Sequence, residues 1–187
     1  EQVRALGEED FRDRLVPYLA DAYPDPTGEA LQAPLVSAES FDELSAREQE
    51  ILNAAAPLIQ TRIQMLRECR DMLGFLFVSD AELTIDDKAV AKLKVSAGDV
   101  LDAGIHALEG LGPEQWGRGQ LEEALSAAIV EGQGMPNGEG IKPRLAYGPL
   151  RVAVTGRQVS PPLFESMEIL GAGSTLARLK ALRARLG

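Results

Sequence analysis

A chain of 187 residues with 45% hydrophobic content can form one or two small domains with buried cores, and its sparse aromatics beside plentiful Ala, Leu, Glu and Arg favour helices over sheet. The single cysteine, Cys69, excludes an internal disulfide and suggests a reducing compartment, and no apolar run approaches the roughly 18 residues of a membrane span. Nineteen basic and 29 acidic residues leave a net charge of −10, so an anionic partner would have to meet a local basic face.

The first pattern with helical spacing is Glu8 to Ala22, with Phe11, Leu15 and Leu19 in register and Pro17 inside as a possible kink. Tyr23-Pro24-Asp25-Pro26-Thr27-Gly28 reads as a turn or loop, and Glu29 to Leu44 is ambiguous, with room for a short helix around Phe41. Ser45-Ala46-Arg47-Glu48 has the spacing of a capping box and predicts a helix start. The apolar positions then run from Ile51 through Leu73, with Pro57 expected to bend or split the helix and Gly74 to end it. Phe75 and Phe77 read as buried anchors. Arg62, Arg67 and Arg70 form a close cluster of cations, for which ordinary helix-surface arginines are the plain reading.

Thr84 or Asp86 can cap a short helix to about Lys94, and Ser96 to Leu111 is another, with Val100, Leu101, Ile105 and Leu108 apolar. His106, the sole histidine, suits packing or surface better than ligation or base chemistry. Beyond Gly112-Pro113, Trp116 is expected to plug a helix interface, and Leu121, Leu125, Ala128 and Ile129 mark a helix to about Glu131. Gly132 to Gly140 reads as a flexible loop. Its glycines fit neither a dinucleotide fingerprint nor a P-loop, and no strand precedes it.

The stretch Ile141 to Gly187 differs from all of this. It carries eight cations and two acids, +6, whereas Glu1 to Gly140 carries −16. Such asymmetry suggests an anionic partner, most commonly nucleic acid, or else a solvated face with cations at a helix C-terminus. Its punctuation predicts three short helices. One opens at Gly148-Pro149 and stops at Gly156, and a second has Ser160 as N-cap with Pro161 at N1 and stops at Gly171. A third is capped by Ser174 and places Leu176, Leu179, Leu182 and Leu186 on one face, leaving Ala172-Gly173 as an extended turn. Exposed helix N-termini at such corners can hold phosphates.

Catalytic signals are lacking. One His and one Cys support neither a hydrolase triad nor a zinc site, and the acids are scattered over helix faces. No catalytic residue and no metal ligand is assigned.

Lys142-Pro143-Arg144, Tyr147, Pro149-Leu150-Arg151, Thr155-Gly156 and Ser160-Pro161-Pro162-Leu163-Phe164-Glu165 together resemble the C-terminal signature of bacterial glutamyl-tRNA synthetases, closest to the actinobacterial type. Val3-Arg4-Ala5-Leu6 resembles the helix entry that follows the family's catalytic half. Pro57-Leu58-Ile59-Gln60-Thr61-Arg62 with Gly74-Phe75-Leu76-Phe77 resembles its middle helical region. The loop Gly132 to Gly140 looks like an insertion in that pattern, and Ala172-Gly173 departs from a more charged turn.

The resemblance implies an all-α anticodon-binding part of two small helical subdomains packed end to end, residues 1–80 and 81–187, with a boundary around Phe77 to Asp87. The His-Ile-Gly-His-like and Lys-Met-Ser-Lys-Ser-like signatures of the catalytic half do not occur, so this segment is expected to be catalytically inert. ATP and Mg²⁺ would belong to the catalytic half, N-terminal to this segment, and the parent would be a cytoplasmic ligase charging glutamate tRNA. The absence of an initial Met fits an excised piece. The implied partner is the anticodon stem and loop of tRNA(Glu), with Arg151 reading a base and Ser160, Pro161 and Leu163 making the adjoining contact. Lys142, Arg144 and Arg157 would bind phosphate, and Arg62 is the match to an anticodon-reading arginine in the middle region. For Thr155-Gly156, Pro161-Pro162 and Phe164, building the corner is an equal reading. The alternative is a helical interaction module that docks a protein partner without reading RNA.

Overall fold

The computed structural model describes residues 3–24, 28 and 31–187. The chain divides into two compact units, Glu1–Val78 and Ser79–Gly187. It is all-α apart from a two-residue antiparallel ladder, β1 (Tyr23–Pro24) with β2 (Leu31–Gln32), in which Tyr23 lies opposite Gln32. The predicted turn thus begins as a strand end, and its residues 25–27 lie outside the described residues, as do 29 and 30 of the ambiguous segment.

In the first unit, α1 (Glu8–Ala20) buries Phe11, Leu15, Val16 and Leu19, with Pro17 inside its last turn. α2 (Ala46–Ile59) opens on the predicted capping box. The Ser45 hydroxyl accepts from the Glu48 amide at 3.1 Å, and the Glu48 carboxylate accepts from the Ser45 amide at 2.9 Å. The long helix expected beyond Pro57 is split. α2 stops at Ile59, and helix resumes only with the 3₁₀ turn Leu66–Glu68 and α3 (Cys69–Leu73). Gly74 ends the α-helix but opens a 3₁₀ turn, which buries Phe75, while Phe77 is half-buried. The core comprises Phe11, Leu15, Leu19, Leu52, Ile59, Ile63 and Leu73.

Arg70 is not a surface arginine. It is 7% exposed, and its guanidinium donates to the carbonyls of Tyr18 (3.0 Å), Leu19 (3.3 Å), Asp21 (3.0 Å) and Ala33 (2.6 Å). Most of these oxygens belong to the last turn and exit of α1, where carbonyls lack helical partners and attract a cation. Arg62 and Arg67 are exposed, and Arg62 Nε donates to the Leu58 carbonyl at 3.1 Å.

The second unit is built around α5 (Ala97–Glu109), which packs against α7 (Pro143–Thr155) and α9 (Ala172–Leu186). Gly104 allows the α5–α7 approach, since a Cβ there would stand 3.0 Å from Leu150 Cδ2. Asp86, and not Thr84, caps α4 (Asp87–Ala91), accepting from the Lys88 amide at 3.0 Å. α6 (Arg118–Leu125) continues into a π-helical turn, Ser126–Val130, closed by the Glu131 amide on the Ser126 carbonyl at 2.9 Å. Trp116 is half-buried, and its indole N–H donates to the Met167 carbonyl of α8 (Leu163–Leu170) at 2.9 Å. The glycine-rich loop is a folded closure. Gln133 and Gly134 donate to the carbonyls of Ala127 and Ala128, Ile141 donates to that of Ile129, and Gly140 lies against the Val130 carbonyl with no room for a Cβ.

Three predicted helix starts are displaced. α7 begins at Pro143, with Lys142 as N-cap, so Pro149 is internal. Its lost hydrogen bond is outweighed by a buried face of Ala146, Pro149, Leu150, Ala153 and Val154 that runs straight through it. α8 begins at Leu163, and Ser160 caps nothing because its hydroxyl serves other partners. α9 begins at Ala172, immediately after Gly171 (φ +90°) ends α8, so Ala172-Gly173 form its first turn and Ser174 is internal. The predicted stops at Gly156 and Gly171 hold, and Gly156 is left-handed at φ +77°.

Candidate nucleic-acid interface

The basic C-terminal segment separates into two groups. Arg178, Lys180, Arg183 and Arg185, all on α9, face acids. Arg178 is 2% exposed, its Nε is 2.7 Å from Asp80 Oδ1, and it also donates to the Val154 carbonyl at 2.8 Å. Lys180 meets Glu109 at 3.2 Å, Arg183 meets Asp102 at 2.9 Å and Arg185 meets Asp87 at 2.6 Å. These last three are exposed pairs, each worth about 0.2–1 kcal/mol. The segment's other four cations are Lys142, Arg144, Arg151 and Arg157.

Two of those four line a groove of about 1050 Å³ in the second unit. One wall is α7, with Arg144, Tyr147 and Arg151. The other is the chain between α4 and α5, with Lys92, Lys94 and Ser96, and Gln158 closes one end by accepting from Lys92 Nζ at 3.4 Å. Four cations line the groove, and among the described residues no carboxylate does. Lys142, at the N-cap of α7, and Arg157, just past its C-terminal glycine, are exposed but do not line it.

Arg151 owes its place to the corner after α7. Its Nη1 donates to Ser160 Oγ at 2.7 Å and to the Pro161 carbonyl at 3.2 Å, while Ser160 Oγ donates to that same carbonyl at 2.7 Å. The guanidinium is held in a fixed orientation at the groove wall, the arrangement that makes directed hydrogen bonding to a planar group effective. Thr155 ties the corner, its hydroxyl donating to the Arg151 carbonyl at 2.8 Å and accepting from the Arg157 amide at 3.2 Å. Gly156 is required there because a Cβ would strike the Thr84 carbonyl. Ser160 is 8% and Leu163 3% exposed, so neither side chain presents surface beside Arg151. Tyr147 meets the Phe164 ring edge-on, with centroids 5.2 Å apart at 88°. Burial, partly offset by a hydrogen bond with Ser126, pushes its phenol up, so the ring enters the groove uncharged at neutral pH.

The groove unites Arg144 with Arg151, whereas Arg62 lies in the first unit. Lys92 and Lys94 escaped the sequence reading. Their signal was three lysines within seven residues, Lys88, Lys92 and Lys94, masked by the acidic balance of Glu1 to Gly140.

Among the described residues no helix is long and apolar enough to cross a membrane. Comparison with known proteins gives concordant results. The curated glutamate–tRNA ligase of Kineococcus radiotolerans is 49% identical over 184 residues, which is 98% of this chain and 32% of that protein. The glutamate–tRNA ligase of Bifidobacterium longum is 47% identical over 186 residues, 100% of this chain and 33% of that one. The chain thus spans about a third of the length of these curated relatives. A crystal structure of a glutamate tRNA ligase from Elizabethkingia meningosepticum, in complex with its amino acid, shares the fold with a TM-score of 0.66 at 16% identity, covering 99% of this chain and 30% of that one. The model of the anticodon binding domain matches residues 10–183, and by that match over nearly its whole length the chain belongs to the anticodon-binding domain family.

Proposed function

We propose that this chain is the part of a cytoplasmic glutamate–tRNA ligase that grips the anticodon stem and loop of tRNA(Glu). The observation that carries the reading is the groove in which Arg151, held by Ser160 and Pro161, stands beside Arg144 and the Tyr147 ring. Unstacked loop bases offer their edges to such a fixed guanidinium, and the sugar–phosphate backbone is attracted by the surrounding cations. Arg151 reads a base edge. Ser160 and Pro161 orient Arg151, and Leu163 supports the corner from within. Lys142, Arg144 and Arg157 hold phosphate, and Arg62 contributes from the first unit. On this reading the joining of glutamate to tRNA, with its ATP and Mg²⁺, takes place in a separate catalytic part, and this chain supplies recognition.

The test is a salt-controlled titration of the chain against glutamate tRNA and against the same tRNA with an altered anticodon. The expected result is affinity that falls steeply with salt, a preference for the correct anticodon, and loss of that preference in Arg151→Ala by about ten- to a hundredfold, the size of one directed base contact. Salt-independent binding would overturn the reading. Binding by Arg151→Ala that matches wild type, with unchanged helicity, would favour a helical scaffold.

A further inference from the structure

We infer that Lys92 and Lys94 form a second phosphate-binding wall, gripping the RNA backbone across the groove from Arg144 and Arg151. The inference rests on the tRNA reading above but concerns residues from the acidic part of the chain, where charge totals give no hint of them. Three observations carry it. First, both lysines line the same groove as Arg144 and Arg151, with no carboxylate in its lining among the described residues. Second, among the described residues neither lysine joins an ion pair, whereas every cation of α9 faces an acid. The polar partner found for Lys92 is a neutral one, Gln158 at 3.4 Å. Third, the wall is open to solvent, since Lys92 and Lys94 are exposed and Val95 beside them is fully so.

Two cationic walls facing across a groove match the chemistry of a phosphodiester chain, which carries one negative charge per nucleotide and no counter-charge of its own. Ammonium groups suit this task as compact, mobile point charges, while the oriented guanidinium of Arg151 suits base edges. The division predicts different consequences for the two walls. Losing a lysine removes affinity without touching sequence preference, because phosphate contacts carry no sequence information.

The experiment uses the full 187-residue chain with Lys92→Gln, Lys94→Gln, the double variant, and Lys88→Gln. Lys88 is an exposed lysine of α4 that does not line the groove, so its variant matches the charge change without the contact. Affinity for glutamate tRNA is measured over a salt series, with circular dichroism on each variant. In the double variant the log–log salt slope should become shallower by about 1.4–1.8, two contacts at about 0.7–0.9 each, with the ratio between correct and altered anticodons unchanged. Each single variant should show about half that change, and Lys88→Gln much less. A wild-type slope in the double variant, or an equal change in Lys88→Gln, would overturn the second wall and leave the anticodon reading standing. A wild-type chain with no salt-dependent binding would remove both.

Discussion

Each unit of this chain buries one arginine, and the two do different work. In the first unit Arg70 collects four backbone carbonyls at the exit of α1. In the second, Arg178 pairs with Asp80 and takes the carbonyl of Val154, at the end of α7. The charge left outside differs as well. The first unit has seven cations against 15 acids, and the second has twelve against 14. Even the second unit is slightly acidic, yet it offers a groove lined by four cations. Net charge, then, is a poor guide to where cations gather on the surface, because a unit of either sign can cluster them locally.

This comparison can be broken most sharply at the buried arginines. Arg178→Ala strands a buried carbonyl and leaves Asp80, about a third exposed, without its partner, and should cost about 3 kcal/mol in urea unfolding. Arg70→Ala strands carbonyls at the α1 exit and should cost a comparable amount, about 3 kcal/mol. A loss below about 1 kcal/mol in either would show that the arginine is not a structural pin. A smaller effect is expected at the corner that aims Arg151. Gly156→Ala forces a left-handed residue against the Thr84 carbonyl and should cost about 2 kcal/mol, measured as a lowered thermal midpoint. Indifference to this change would mean that the corner gives way easily, and Arg151 would lose its claim to a fixed orientation.

Cys69 gives a test through pH. It is fully buried in α3, and desolvation pushes its thiol up to about 12, well above the ordinary range of an exposed cysteine. Because the folded-state value is raised, the favourable contribution is intact below the unfolded value and is lost as pH climbs towards 12. The stability advantage of wild type over Cys69→Ala should therefore shrink between pH 9 and 12, by about 1.4 kcal/mol per pH unit at most. A constant difference over that range would place the thiol in contact with water.

Much of the fold was legible because it depends on neighbours in sequence. The capping box at Ser45 and Glu48 and the stop at Gly156 need only local geometry, and the apolar face of α1 needs only periodicity. The candidate site was legible in part. Arg144 and Arg151 stood out in a basic, proline-punctuated stretch, whereas Lys92 and Lys94 lie about fifty residues earlier and reach the groove only through packing. Ser160 looked like a helix cap by every local rule, but its oxygen is held by Arg151, and helix α8 starts without it. Pro149 looked like a helix start, but a buried face on both sides of it carries α7 across.

The sequence by itself determined the helical class, the stops at Gly156 and Gly171, and family membership, since each rests on residue type and spacing along the chain. Tertiary structure alone decided which cations of α9 meet acids. Four arginines and lysines of α9 look like a cationic face in the sequence, and they became structural partners only when α9 was laid beside Asp80, Asp87, Asp102 and Glu109. The groove draws its cations from α7 and from the segment before α5, and among the described residues no carboxylate lines it. A charge acts over a few ångströms of space, and such neighbours are set by packing between helices distant in sequence.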